Sequence, residues 1–245
     1  MHKNIPEISQ AIILAAGFGT RMQPLTFNTP KPLIKINGKP IIFYILEELR
    51  KNNIKHCFIN THYLSEKIEQ YIHTYKKKNS SMNIKIIKEN EILETGGAIK
   101  NIKDKDSTKP IIVINGDSII IPNNSKNFLA DLIKNFDPNK MDFLLLLDNI
   151  KNSIGYNGKG DFISNSKIFP AKIFRKHANG FAYTGWQVLN PKIIDEVNVN
   201  KFSLNICYDK AIENNLLWGI NNSGKWLHIG TKKALSEATE WFKIN

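Results

Sequence analysis

Cysteine is nearly missing from this chain: 245 residues hold 2, Cys57 and Cys207, with no CxxC spacing. That excludes a disulfide framework and predicts two half-buried thiols in a reducing compartment. Long apolar runs are missing too. Nothing approaches the roughly 18 apolar residues that a membrane span needs, and residues 1–10 (MHKNIPEISQ) carry no apolar signal segment. The expected location is therefore the cytoplasm, away from membranes. No internal repeat, low-complexity linker or clean boundary divides the sequence, which predicts one domain over residues 1–245. Acidic residues are the scarcer charge, 22 Asp and Glu against 34 Lys and Arg, for a formal net charge of +12. The lysines are spread along the chain, and the one dense run, Lys76 to Lys78, closes a predicted helix where cations suit the dipole. With no RNA-binding motif and no aromatic–basic cluster, the excess favours anionic small molecules over nucleic acid.

What is present is an alternating α/β pattern. Ala11–Leu14 reads as a strand buried on both faces. Asn37-Gly38-Lys39-Pro40 is a turn launching a helix from Ile41 to about Asn52, with Ile42, Ile45, Leu46 and Leu49 on its apolar face. Ile54–Asn60 reads as a second strand, Ser65 as the cap of a second helix, and Ile84–Ile87 as a third strand. Leu93–Ile99 (LETGGAI) enters a further helix, and Ile111–Ile114 is a buried strand ending in Asn115-Gly116-Asp117. This rhythm predicts a mainly parallel sheet with covering helices. Three candidate loops leave the carboxyl ends of strands, where open α/β sheets bind ligands. A helix near Phe128–Phe136 and the strand Phe143–Leu147 follow. From 149 to 190 glycines and short alternating runs predict a β-rich insertion, with Phe181–Leu189 as a strand. Short helices at Lys192–Val197 and Leu204–Glu213, strands at Leu216–Ile220 and Trp226–Ile229, and a helix from Lys232 to Phe242 complete the expectation.

The chemistry concentrates between Ala11 and Leu33 (AIILAAGFGTRMQPLTFNTPKPL). Ala15, Ala16, Gly17 and Gly19 are small enough to let backbone N–H groups approach an anion closely, and Leu14 and Thr20 flank them as further nucleotide-binding candidates. Arg21 adds a planar fork suited to phosphate oxygens, and Lys31 a point charge fixed between Pro30 and Pro32. Two common phosphate motifs are excluded: Met22 stands where a dinucleotide fingerprint needs its third glycine, and no glycine is followed by Lys and then Ser or Thr. Asp117 suits a hard cation such as Mg²⁺ held against phosphate oxygens, or else a turn-forming Asx bond. His228 is the candidate second ligand; imidazole suits softer ions such as Mn²⁺ better than Mg²⁺, and a lone His is also a common structural residue.

LAAGFGTRMQPLTFNTPKPL resembles, almost position for position, the opening motif of the sugar-1-phosphate nucleotidylyltransferases. Further matches are LETGG (Leu93–Gly97), NGD (Asn115–Asp117), GKGDF (Gly158–Phe162), Thr184-Gly185 and WLHIGT (Trp226–Thr231). The resemblance implies a Rossmann-like mixed, mainly parallel sheet with helices on both faces and a small β-rich insertion. It implies transfer of a nucleoside monophosphate from an NTP, UTP being favoured, to a sugar 1-phosphate, N-acetylmuramate 1-phosphate being favoured, with Mg²⁺ as cofactor. Arg21 would embrace the leaving phosphates, Lys31 would neutralise charge at the α-phosphorus, and Asp117 would hold the metal. Glu89, Thr95 and Gly96 fall where the family reads the base; a carboxylate could accept from uracil N3–H or guanine N1–H, so guanylyl or cytidylyl transfer stays open. Asn115, Gly160, Asp161, Thr184 and Lys176 fall where relatives hold the sugar. Many relatives have Asp where this chain has His228, which leaves a catalytically silent nucleotide-binding module as the other reading. No left-handed β-helix repeats follow, so no attached acyltransferase domain is expected, and the expected assembly is a monomer or small homo-oligomer.

Overall fold

The computed structural model describes residues 7–103, 109–123, 126–175 and 180–245. Its principal strands are β1 (Gln10–Leu14), β2 (His56–Thr61), β3 (Asn83–Lys88), β4 (Ile111–Asn115), β5 (Ser118–Ile121), β6 (Phe143–Asn149), β7 (Phe181–Leu189), β8 (Leu217–Asn221) and β9 (Lys225–His228). The helices are α1 (Ile41–Lys51), α2 (Ser65–Lys78), α3 (Glu94–Ile102), α4 (Phe128–Asn135), α5 (Lys192–Asp195), α6 (Asn205–Glu213) and α7 (Lys232–Ile244).

Side-chain alternation explains why the apolar runs form a sheet with two covered faces. On β1, Ala11 and Ile13 enter one core while Ile12 enters the other; on β4, Ile112 and Ile114 oppose Ile111 and Val113. Leu144 and Leu146 of β6 likewise oppose Phe143, Leu145 and Leu147. A strand facing two apolar layers needs no polar face, hence runs such as FLLLL. Helices α1, α2, α4 and α7 cover the first core, and α3, α5 and α6 the second. Along the main sheet the order is β3-β2-β1-β4-β7-β6-β8. β1 to β4 pair in parallel, β6 pairs in parallel with β8, and β7 runs antiparallel between β4 and β6. The fold is the expected mixed, mainly parallel α/β architecture.

Several local expectations change. β5 has no counterpart in the sequence reading; it pairs antiparallel with β9, placing Ser118 opposite His228. The stretch 149–190 has two parts. Phe162–Ile163, Ala171–Lys172 and Phe174–Arg175 are two-residue strands, whereas β7 runs through the middle of the main sheet. Ser65 is not the helix cap: Leu64 takes that place at φ 52°, so Ser65 lies inside the first turn and its hydroxyl donates to Glu69. The two thiols are fully rather than half buried, and both cysteines are free. Burial raises the Cys207 thiol pKa to about 11. Among the described residues no helix is long and apolar enough to cross a membrane.

Candidate active site

A cavity of about 410 Å³ opens at the carboxyl ends of β1, β2, β3 and β4. β1 delivers the chain into Ala15, Ala16, Gly17 and Gly19, and a tight turn at Thr20–Met22 reverses it. Met22 is fully buried and anchors that turn, while the Thr26 hydroxyl donates to the Gly19 carbonyl at 3.0 Å. A second tight turn, Lys31–Leu33, begins behind Pro30 and fixes the start of the Lys31 stem. Lys31 Nζ reaches Asp117 Oδ2 at 2.5 Å.

That ion pair depends on the close return of the Asn115-Gly116-Asp117 turn. The Gly116 N–H donates to the Leu14 carbonyl at 2.9 Å, and a Cβ at Gly116 would lie 2.7 Å from the same oxygen. Only glycine lets the turn lie this flat against the end of β1. β9 closes the other side, its continuation donating from Ile229 N–H to the Asp117 carbonyl at 2.9 Å. Thr231 then caps α7 by accepting from Ala234 N–H at 3.2 Å.

Electrostatics follow from this packing. Burial pushes the Asp117 carboxyl upward, but Lys31 above all, then His228 and Arg21, outweigh it and hold its pKa below the ordinary carboxylate value. Burial pushes His228 downward, with Lys31 and Arg21 assisting and Asp117 opposing, so the imidazole is neutral near pH 7. A carboxylate, two cations and a neutral imidazole suit a polyphosphate accompanied by a divalent ion.

The cavity wall brings together Leu14, Ala15, Ala16, Gly17, Gly19, Thr20, Arg21, Lys31, Glu89, Thr95, Asn115 and Asp117. Sequence reasoning missed Asn60, Ile92 and Glu94 on the same wall. Asn60 stands one residue before the carboxyl end of β2 in the parallel set, the one signal that could have found it.

Other candidates lie elsewhere. Gly96 is buried in the first turn of α3, its N–H donating to the Phe202 carbonyl at 2.9 Å and its α-carbon against the Phe202 ring. Its N–H is thus engaged within the protein, and it is not among the residues that line the cavity. Thr184 is 1% exposed, and its hydroxyl donates to the Leu146 carbonyl at 2.8 Å. Its hydroxyl hydrogen is thus spent within the sheet, and the residue is not among those that line the cavity. With Gly185 it forms an irregularity in β7 where the register against β6 shifts, and Gly185 backs onto the Asn115 side chain. Asp161 Oδ2 accepts from Tyr183 N–H at 2.8 Å, and Gly160 N–H donates to the Tyr156 hydroxyl at 3.2 Å, both off the cavity wall. His228 is not among the residues that line the cavity; its ring lies beside Gly230, which does line it. Lys176 lies outside the described residues.

A sheet with a cavity at its strand ends, lined by a glycine loop, Arg21 and Lys31, suits a nucleotide, and likeness to known proteins gives the family. The chain belongs to the nucleotidyl transferase family, whose model matches residues 10–243. Over 226 residues it is 31% identical to the N-acetylmuramate alpha-1-phosphate uridylyltransferase of Caulobacter vibrioides, covering 91% of this chain and 93% of that protein. Over 227 residues it is 30% identical to the D-glycero-alpha-D-manno-heptose 1-phosphate guanylyltransferase of Aneurinibacillus thermoaerophilus, covering 90% and 93%. The fold is also that of a UDP-glucose pyrophosphorylase solved with UDP-glucose, at a TM-score of 0.79 and 18% identity, over 98% of this chain and 100% of that one.

Proposed function

We propose that this member of the nucleotidyl transferase family transfers a uridylyl group from UTP to N-acetylmuramate 1-phosphate, releasing pyrophosphate. The observation that carries the reading is the convergence of the Gly17–Gly19 loop, Arg21, Lys31 and Asp117 on one cavity at the strand ends. The choice of uridine and of N-acetylmuramate rests on likeness to the Caulobacter enzyme over nearly the full chain.

An oxygen of the sugar phosphate attacks the α-phosphorus, forming one P–O bond as the bond to the β-phosphate oxygen breaks. Catalysis here needs position and charge rather than covalent help. The glycine loop receives the triphosphate, Arg21 grips the departing pyrophosphate, and Lys31 neutralises charge gathering at the α-phosphorus. For Lys31 to do so it would turn from Asp117 towards the phosphates, which would leave the Asp117 carboxylate open to a cation.

Asp117 fits that cation. Among the described residues no group of three or more His, Cys, Asp and Glu forms a metal cage. Mg²⁺ is commonly held by one or two carboxylates plus substrate phosphates and water. Asp117 would hold it, His228 would be the candidate second donor, and the ion would neutralise phosphate charge. Guanylyl transfer is the second reading, supported by likeness to the Aneurinibacillus guanylyltransferase; the Glu89 carboxylate would accept from guanine N1–H as well as from uracil N3–H.

The test is pyrophosphate release from purified protein given each NTP, a panel of sugar 1-phosphates, and Mg²⁺ or Mn²⁺. The highest kcat/KM is expected for UTP with N-acetylmuramate 1-phosphate. A preference for GTP moves the assignment to the second reading, and no turnover with any pair sinks the enzyme.

A further inference from the structure

Asn60 is an amide buried to 3% exposure on the cavity wall, with both ends engaged. Its Oδ1 accepts from Ala15 N–H at 2.8 Å, at the entrance of the phosphate loop. Its Nδ2 donates to Glu89 Oε1 at 2.8 Å. The orientation is forced: a backbone N–H needs an acceptor and a carboxylate needs a donor, so flipping the amide would leave both contacts repulsive. Glu89 is otherwise fixed. Its N–H donates to the Thr61 carbonyl at 2.7 Å, its carbonyl lies 2.9 Å from His62 Nδ1, and Oε2 accepts from Leu93 N–H at 3.3 Å. Each carboxylate oxygen thus has one internal donor and keeps acceptor capacity towards the cavity.

We infer that Asn60 is a positioning residue that joins the two ends of the nucleotide site. It aims the Glu89 carboxylate at the base while holding the start of the loop that receives the triphosphate. This rests on the nucleotidyl-transfer reading and adds a residue to it. Asn60 touches neither base nor phosphate; it acts through Glu89 and Ala15. No other side chain in the described residues bonds to both.

Asn60→Asp separates the two ends. It has the same shape, keeps an oxygen for Ala15 N–H, and turns the donor facing Glu89 into a second carboxylate oxygen. An unsatisfied or like-charged buried contact of this kind weakens binding by roughly tenfold to a hundredfold. At pH 8, KM and Kd for the preferred NTP are expected to rise by that factor. kcat at saturation and the affinity for inorganic tripolyphosphate, which engages the loop alone, should stay near wild type. In Asn60→Asp/Glu89→Gln the new amide can donate to Asp at position 60, so part of the lost NTP affinity should return. In Asn60→Ala, which strands both partners, tripolyphosphate affinity should fall as well.

Unchanged NTP affinity in Asn60→Asp overturns the inference. So does an equal loss of NTP and tripolyphosphate, which marks a merely structural amide. If the wild-type protein neither binds an NTP nor releases pyrophosphate, the functional reading itself fails. Wild-type turnover with an indifferent Asn60→Asp removes only this residue's role.

Discussion

On the phosphate side of the cavity the motif residues Gly17, Arg21, Lys31 and Asp117 line the wall, whereas Thr184, Gly96 and Asp161 are held by the protein around them, through Leu146, Phe202 and Tyr183. The phosphate side is built from loops leaving adjacent parallel strands, which can expose a motif while the strands carry the packing. On the other side a strand, β7, passes through the sheet core, and its motif residues must satisfy backbone groups there. The same kind of short motif therefore serves chemistry in one place and architecture in the other.

The largest effect is expected where the cavity wall is most charged. Asp117→Asn keeps the shape of the side chain and removes the charge that Lys31 faces at 2.5 Å. Loss of one preorganised electrostatic group of this kind lowers kcat by roughly 10²–10³-fold. Pyrophosphate release should fall by that factor with an unchanged circular dichroism spectrum. A fully active variant would break the comparison on its phosphate side.

Two glycines sharpen it next. A Cβ at Gly17 meets nothing within 4 Å, whereas one at Gly97 would lie 2.2 Å from the Asn200 carbonyl oxygen. Gly97→Ala must push backbone, and overpacking of this kind costs about 1–3 kcal/mol. For a chain of this length that lowers Tm by roughly 2–4 °C per kcal/mol. Gly17→Ala should leave Tm unchanged and weaken NTP binding instead. Thermal melts beside NTP titrations read both. Equal melts would erase the distinction between a chemical and a structural glycine.

Much of this could be read from the residues, for physical reasons. A strand buried on both faces announces itself as an unbroken apolar run, so β1, β4 and β6 were legible. Adjacent motifs on one loop, Gly17 to Arg21, travel together and were legible too. The partner of β5 was not: Ser118 meets His228 across 110 positions of chain, and neither segment alone says so. Asn60 was hidden because its purpose lies in two neighbours, Ala15 and Glu89, that only the fold brings to it. Thr184 and Gly96 were placed in the site by resemblance, which marks where a motif stands but not whether it faces ligand or protein.

Thr184→Val tests that distinction directly. The substitution keeps the volume but removes the donor to the Leu146 carbonyl, leaving that acceptor bare in a buried strand pair. A lost hydrogen bond of this sort costs about 1 kcal/mol. The urea midpoint should drop accordingly, with KM for the sugar phosphate unchanged. A raised KM at unaltered stability would return Thr184 to the sugar side of the cavity.

The smallest effect concerns His228 and acid. Burial holds its pKa in the folded protein below the ordinary 6.5, so the unfolded chain takes up the proton first as pH falls. Between pH 6.5 and the folded value the unfolded state binds more protons, and stability declines as pH is lowered. The contribution is fully present above 6.5. Asp117 adds a loss of the same sign, but only below its ordinary 3.8, so the two are separable. Urea midpoints measured from pH 7.5 down to 5 should slope downward in the wild type and flatten in His228→Asn. A slope that survives the substitution unaltered would mean that the His228 ring titrates as freely as one in water, and that its burial at the end of β9 does not disfavour the proton.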